Sequence, residues 1–204
     1  MENDEKDEKL MKVIEEKISE CTACQLSQTR TNVVPGEGNI HSPIVFVGEG
    51  PGQEEDLSGR PFVGKAGQLF DKILESAGFI RKELYITNVV KCRPPENRVP
   101  SSEEVLSCSH FLMAQLAVIN PQIIVPLGAT ALNFFMKGSI TESRGKFFEW
   151  KGGIRLFPMF HPSYLLRNQS KEQGSPKALT WDDIRILKKA YDEIMAHGKD
   201  GLVV

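Results

Sequence analysis

The residues with chemistry to offer are a glycine run crowded with carboxylates, four cysteines, and a scattered asparagine, phenylalanine and histidine. In VGEGPGQEED (47–56) the glycines follow an apolar stretch, a layout often used to cradle phosphate. Glu49, Glu54, Glu55 and Asp56 would instead surround such an anion with negative charge. Carboxylates there suit a reaction that builds positive charge in its substrate or must orient a water. Glycosidic cleavage does both, because the sugar becomes oxocarbenium-like as the bond breaks. The leaving group takes the negative charge and needs a donor, which His161 can provide. Asn88 can read the edge of a base, and Phe62 can stack on a flipped ring. Each residue alone has a plainer reading, as a strand-end histidine, a core ring, a turn asparagine or a solvated acidic loop. Their convergence decides the matter.

Two other glycine patterns carry less. Gly59 to Ala66 (GRPFVGKA) fits GxxxxGK, but Ala66 stands where a phosphate loop needs a hydroxyl for magnesium. Gly48-x-Gly50-x-Gly52 lacks the spacing of a dinucleotide site. No nucleotide cofactor is expected.

The cysteines fall as Cys21-x2-Cys24 and Cys92-x15-Cys108. In a reducing compartment four thiols read as metal ligands rather than disulfides. No strand leads into CTAC (21–24), which disfavours a thioredoxin-like redox site. Zinc and a [4Fe–4S] cluster both take four thiolates. One CxxC with two scattered cysteines suits the cluster somewhat better, and spacing alone leaves zinc open.

Certain elements must position these groups. Leu10, Val13, Ile14 and Ile18 recur at helical spacing, predicting an amphipathic helix over 6–20 that ends at the first cysteine pair. Strands are expected at 43–48, 84–88, 122–127 and 154–160, with helices at about 65–77, 101–119, 128–136 and 179–196 between and after them. Ser101-x-x-Glu104 is a capping box opening the second of these helices, and Gly78 stops the first. Such alternation implies a parallel sheet covered on both faces, with sites beyond the carboxyl ends of its strands. That rule gathers Glu49–Asp56, Asn88–Arg98 and His161–Arg167 at one edge.

The 204 residues, 40% hydrophobic and 25% charged, suit one globular domain spanning 1–204. No apolar run approaches the roughly 18–20 residues of a membrane span, so no membrane partner is expected. The acidic N-terminus lacks the basic-then-apolar layout of a signal peptide, which predicts a cytoplasmic protein. The net charge of −2 hides an asymmetry: residues 1–20 carry −4, and the remaining 184 sum to +2. A mildly basic body can bind DNA through a local patch.

GEGPGQEEDLSGRPFVGKAGQLFD (48–71), ITNVVKCRPP (86–95) and HPSYLLR (161–167), with cysteines at this spacing, closely resemble family 4 uracil-DNA glycosylases. The matching motifs run from Cys21 to Arg167. The resemblance implies a three-layer α/β/α fold around a central four-stranded parallel sheet, acting on uracil-containing DNA; a monomer is expected. It implies a [4Fe–4S] cluster on Cys21, Cys24, Cys92 and Cys108, held by segments 21–24 and 92–108. By position, Glu49 and Gly50 form the pocket floor, Phe62 stacks on uracil, Asn88 pairs with its edge, and His161 bonds the oxygen that turns negative. Leu165 or Leu166 is the expected wedge filling the gap left by the flipped nucleotide, and Arg93 and Arg167 are expected at phosphates. The better-known uracil glycosylases carry an aspartate where this chain has Gly50; Glu55 is the preferred group for orienting water, with Glu49 second. No lysine is placed as a Schiff-base nucleophile, and Lys65 and Lys91 read as helix-end and phosphate contacts, so hydrolysis without strand cleavage is expected. The competing reading is a metal-stapled nucleic-acid-binding module without catalysis.

Overall fold

In a computed structural model, residues 2–197 are described; the ends of the 1–204 span lie outside them. The order is α1 (Glu2–Ser19), β1 (Glu37–Gly38), β2 (Ile44–Gly48), α2 (Gln53–Ser58), α3 (Lys65–Ser76), β3 (Tyr85–Asn88) and α4 (Ser102–Ile119). It continues with β4 (Ile123–Pro126), α5 (Gly128–Phe135), α6 (Ile140–Ser143), β5 (Phe148–Glu149), β6 (Arg155–Leu156), α7 (Pro162–Arg167) and α8 (Pro176–His197). The sheet order is β1-β3-β2-β4-β6-β5. Its inner four strands are parallel, as the alternation predicts, and each edge adds a two-residue antiparallel strand. Two residues are too few to show any period, so the edges left no trace in the sequence pattern.

Successive residues of β2 point to opposite faces. Ile44 and Phe46 join Phe70, Leu74, Ile184, Leu187 and Tyr191 of α3 and α8. Val45 and Val47 join Met11 and Ile18 of α1 and Leu112 and Leu116 of α4. The result is three layers.

The capping box of α4 forms as expected: the Ser101 hydroxyl accepts from the Glu104 N–H, and the Glu104 carboxylate accepts from the Ser101 N–H. Two expectations change. The inward stripe of α1 is Met11, Ile14 and Ile18, while Leu10 and Val13 are exposed. The acidic stretch is not all loop, since residues 53–58 make a short helix too brief to announce itself by periodicity.

Candidate active site

The carboxyl ends of the inner strands meet the N-terminus of α7 around a cavity of about 460 Å³. Glu49, Gly50, Glu55, Phe62, Asn88, His161 and Arg167 all line it, although they span more than half of the chain. Pro94, Asn97, Arg98, Ser163 and Lys65 line it too, and of these only Lys65 stands out individually in the sequence.

Asn88 is the last residue of β3, in register with Gly48 at the end of β2. It is buried, and its Oδ1 has no hydrogen-bond partner. A buried acceptor left unpaired costs about 1–3 kcal/mol, which a ligand N–H would recover. Gly48 makes the room: a Cβ there would lie 2.3 Å from Asn88 Oδ1 and 2.7 Å from Phe62 Cζ.

Phe62 is buried and holds a φ of 53°, a left-handed conformation unfavourable to a bulky residue. Two neighbours impose it. Gly67 of α3 packs so closely that a Cβ would sit 2.0 Å from the Phe62 carbonyl. Arg81 donates to the Pro61 carbonyl at 2.7 Å and to that of Phe62 at 3.4 Å, while pairing with Glu37 and Asp71. The ring ends 5.6 Å from that of His161, tilted by 35°.

His161 caps α7, with Pro162 at the first helical position. The Ser163 N–H donates to Nδ1 at 3.1 Å, and the Ser163 hydroxyl lies 2.8 Å from the same atom. An N–H can only donate, so Nδ1 is an acceptor and the neutral ring carries its proton on Nε2. Burial, helped by the positive charge of Arg167, pushes its pKa down to about 4, with Glu55 opposing. At neutral pH the ring is therefore an uncharged Nε2–H donor.

The carboxylates divide their work. Glu55 Oε1 accepts from the N–H groups of Val63 (2.8 Å) and Gly64 (2.7 Å), and Oε2 from that of Gly52 (3.1 Å). A carboxylate offers about four acceptor positions, so one remains. Asp56 is buried and accepts from the N–H groups of Thr31 and Asn32, away from the cavity. Glu49 accepts from the Thr130 hydroxyl on α5.

Two further expectations need correction or narrowing. Lys91 is buried rather than free to meet phosphate, because its segment turns inward beneath Asn88. Leu165 is buried and presents no side chain to solvent, which leaves half-buried Leu166 for a wedge. Arg93 lies outside the cavity, its Nε donating to Asn97 Oδ1 at 2.8 Å.

The four cysteines line a second hollow, walled by Ile18, Ala23 and Phe111. Among the described residues, no group of three or more His, Cys, Asp or Glu side chains converges to hold a metal ion as it stands. The thiols do share one neighbourhood, with sulfur-directed donors in place: Arg30 Nη1 to Cys92 Sγ at 3.1 Å, and the Lys91 N–H to Cys108 Sγ at 3.3 Å. Burial raises the Cys108 thiol to about 11 and also lifts that of Cys92.

The sequence matches the family model described as the uracil DNA glycosylase superfamily over residues 35–185. Across 168 residues the chain is 58% identical to the type-4 uracil-DNA glycosylase of Thermotoga maritima, covering 81% of this chain and 88% of that relative. It is 45% identical over 166 residues to the type-4 uracil-DNA glycosylase of Archaeoglobus fulgidus, covering 76% and 83%. A type-5 uracil-DNA glycosylase of Pyrobaculum aerophilum is 32% identical over 157 residues, covering 68% and 69%. The chain belongs to the uracil DNA glycosylase superfamily and, within it, to the type-4 family.

Proposed function

We propose that this protein removes uracil from DNA by hydrolysis, leaving an abasic site without cutting the strand. The observation that carries this is the unpaired Asn88 Oδ1 in the wall of a cavity shared with Phe62 and the His161 donor. Uracil offers an N3–H to such an acceptor and a carbonyl to the amide N–H; cytosine offers the reverse. Stacking on Phe62 contributes about 1–3 kcal/mol by analogy with base–aromatic pairs.

As the glycosidic bond breaks, its electrons move onto the base. His161 Nε2–H donates to the uracil oxygen that gains this charge, and being uncharged it gives up no proton to do so. Glu55, locked by three backbone donors, uses its remaining position to hold the water that adds to the sugar carbon, and the proton this water sheds neutralises the departing uracil anion. Its fixed negative charge also faces the cationic sugar. Glu49 shapes the floor beside Gly50, held by Thr130. Leu166 enters the vacated stack, while Arg167 at the cavity and Arg93 beside it meet phosphates.

Cys21, Cys24, Cys92 and Cys108 fit a [4Fe–4S] cluster: the donor set is all thiol, the hollow is largely apolar, and two N–H groups already point at sulfur. When bound, such a cluster supplies a staple between α1, the segment after β3 and α4. Raised thiol pKa values mean that loading displaces protons. We expect a brown protein with about four irons per chain. Among the described residues no helix is long and apolar enough to cross a membrane. We further propose a monomer acting in the cytoplasm and needing no nucleotide.

The test is incubation with an oligonucleotide bearing one uracil, followed by alkali. Strand scission only after alkali supports the proposal; binding without base release would make the protein a non-catalytic module. A borohydride-trapped protein–DNA adduct would exclude simple hydrolysis.

A further inference from the structure

Among the described residues no other lysine or arginine is as deeply buried as Lys91, which is 1% exposed. Its Nζ donates to Thr87 Oγ1 at 2.6 Å, Gln115 Oε1 at 2.7 Å and the Asn88 carbonyl at 2.8 Å. Three acceptors match the three N–H bonds of an ammonium group.

The partners are themselves committed. The Thr87 hydroxyl donates to the Pro35 carbonyl at 2.7 Å. The Gln115 amide donates to the same carbonyl at 3.0 Å and to the Tyr85 hydroxyl at 3.1 Å, which turns its oxygen toward the lysine. A donor-only group is what closes this network. A residue needed only to fill space would not bring an amine with three polar partners into the core.

The network also has direction. Gln115 lies on α4 two turns beyond Cys108, and the Lys91 N–H donates to Cys108 Sγ. At its other end stands Asn88, which lines the cavity and whose buried side-chain oxygen is unpaired.

We propose that Lys91 is a positioning residue for base recognition: it ties the Asn88 carbonyl, and with it the amide that reads uracil, to the helix carrying Cys108. The inference rests on the assignment of Asn88 to uracil. It makes the cysteine-bearing lobe part of the base-reading apparatus, through one side chain.

The experiment compares the iron-loaded wild type with Lys91→Met and Asn88→Ala. Inhibition by free uracil is measured beside affinity for DNA containing an abasic analogue. In Lys91→Met, inhibition by uracil is expected to weaken at least tenfold, with abasic-DNA affinity within twofold and iron content unchanged. Unchanged uracil inhibition overturns the proposal. So does a parallel loss in both assays, which would make the lysine merely structural. If Lys91→Met does not fold, Gln115→Met decides by the same pattern, at three- to tenfold. Asn88→Ala separates the two levels. If it leaves uracil inhibition intact, the assignment of Asn88 is wrong; if it alone is impaired, only the role of Lys91 falls.

Discussion

Gly48 and Asn88 stand opposite each other at the ends of neighbouring parallel strands, and the hydrogen of one makes space for the amide of the other. A methyl at Gly48 would sit 2.3 Å from Asn88 Oδ1 and would also crowd the Phe62 ring. Gly48→Ala should therefore displace both groups proposed to grip the base. Misplacement of about 1 Å can cost about 100-fold, and a loss of that order in single-turnover uracil release is expected. Near-wild-type release would show that the amide sits elsewhere when uracil is bound.

The pH profile should report His161. An ordinary histidine gains its proton near 6.5, whereas burial beside Arg167 lowers this one to about 4. The productive neutral ring thus persists through mild acid, and kcat/KM should lose its histidine limb near pH 4. The stability sign follows. Between about 4 and 6.5 the unfolded chain binds the proton and the folded one does not, so stability falls as pH drops through that window. A histidine limb near 6.5, seen in kcat/KM and absent from His161→Gln, would contradict the buried-ring account.

Glu55 and Glu49 separate by substitution. Glu55→Gln replaces an oxygen by an NH2 group facing N–H donors, so it should lower the melting temperature as well as the rate. Glu49→Gln keeps an acceptor for Thr130 and should cost less of both. Single-turnover cleavage at matched uracil affinity is the relevant reading. Full cleavage in Glu55→Gln with loss in Glu49→Gln would reverse their roles.

The adjacent leucines should behave oppositely. Leu165→Ala opens space in a buried position and should destabilise the fold by about 2–5 kcal/mol. Leu166→Ala should leave denaturant midpoints alone and slow excision from duplex more than from single-stranded DNA. Equal loss on both substrates would remove Leu166 as a wedge.

Much of this was legible because it followed periodic patterns. Strand–helix alternation gave the parallel core, and the rule of carboxyl-end sites gathered Glu49, Glu55, Asn88 and His161 at one edge. What escaped depends on direction rather than residue type. Nothing in EED reveals that Glu55 turns back on its own backbone or that Asp56 faces Thr31 and Asn32. KCRPP looks like an exposed basic loop, yet its lysine points inward. Thr130 and Arg81 act on Glu49 and Phe62 from 81 and 19 positions away, beyond any local motif.

The carboxylate clasp around Gly52, Val63 and Gly64 has a bearing on how lesions are found. A wall held by its own main chain needs no ligand to shape it, so little ordering is demanded of the protein at encounter. The work of drawing a nucleotide from the helix then falls on the DNA. Pairs that open easily would be surveyed most thoroughly, and a weak mismatch would surrender its base sooner than a firm one.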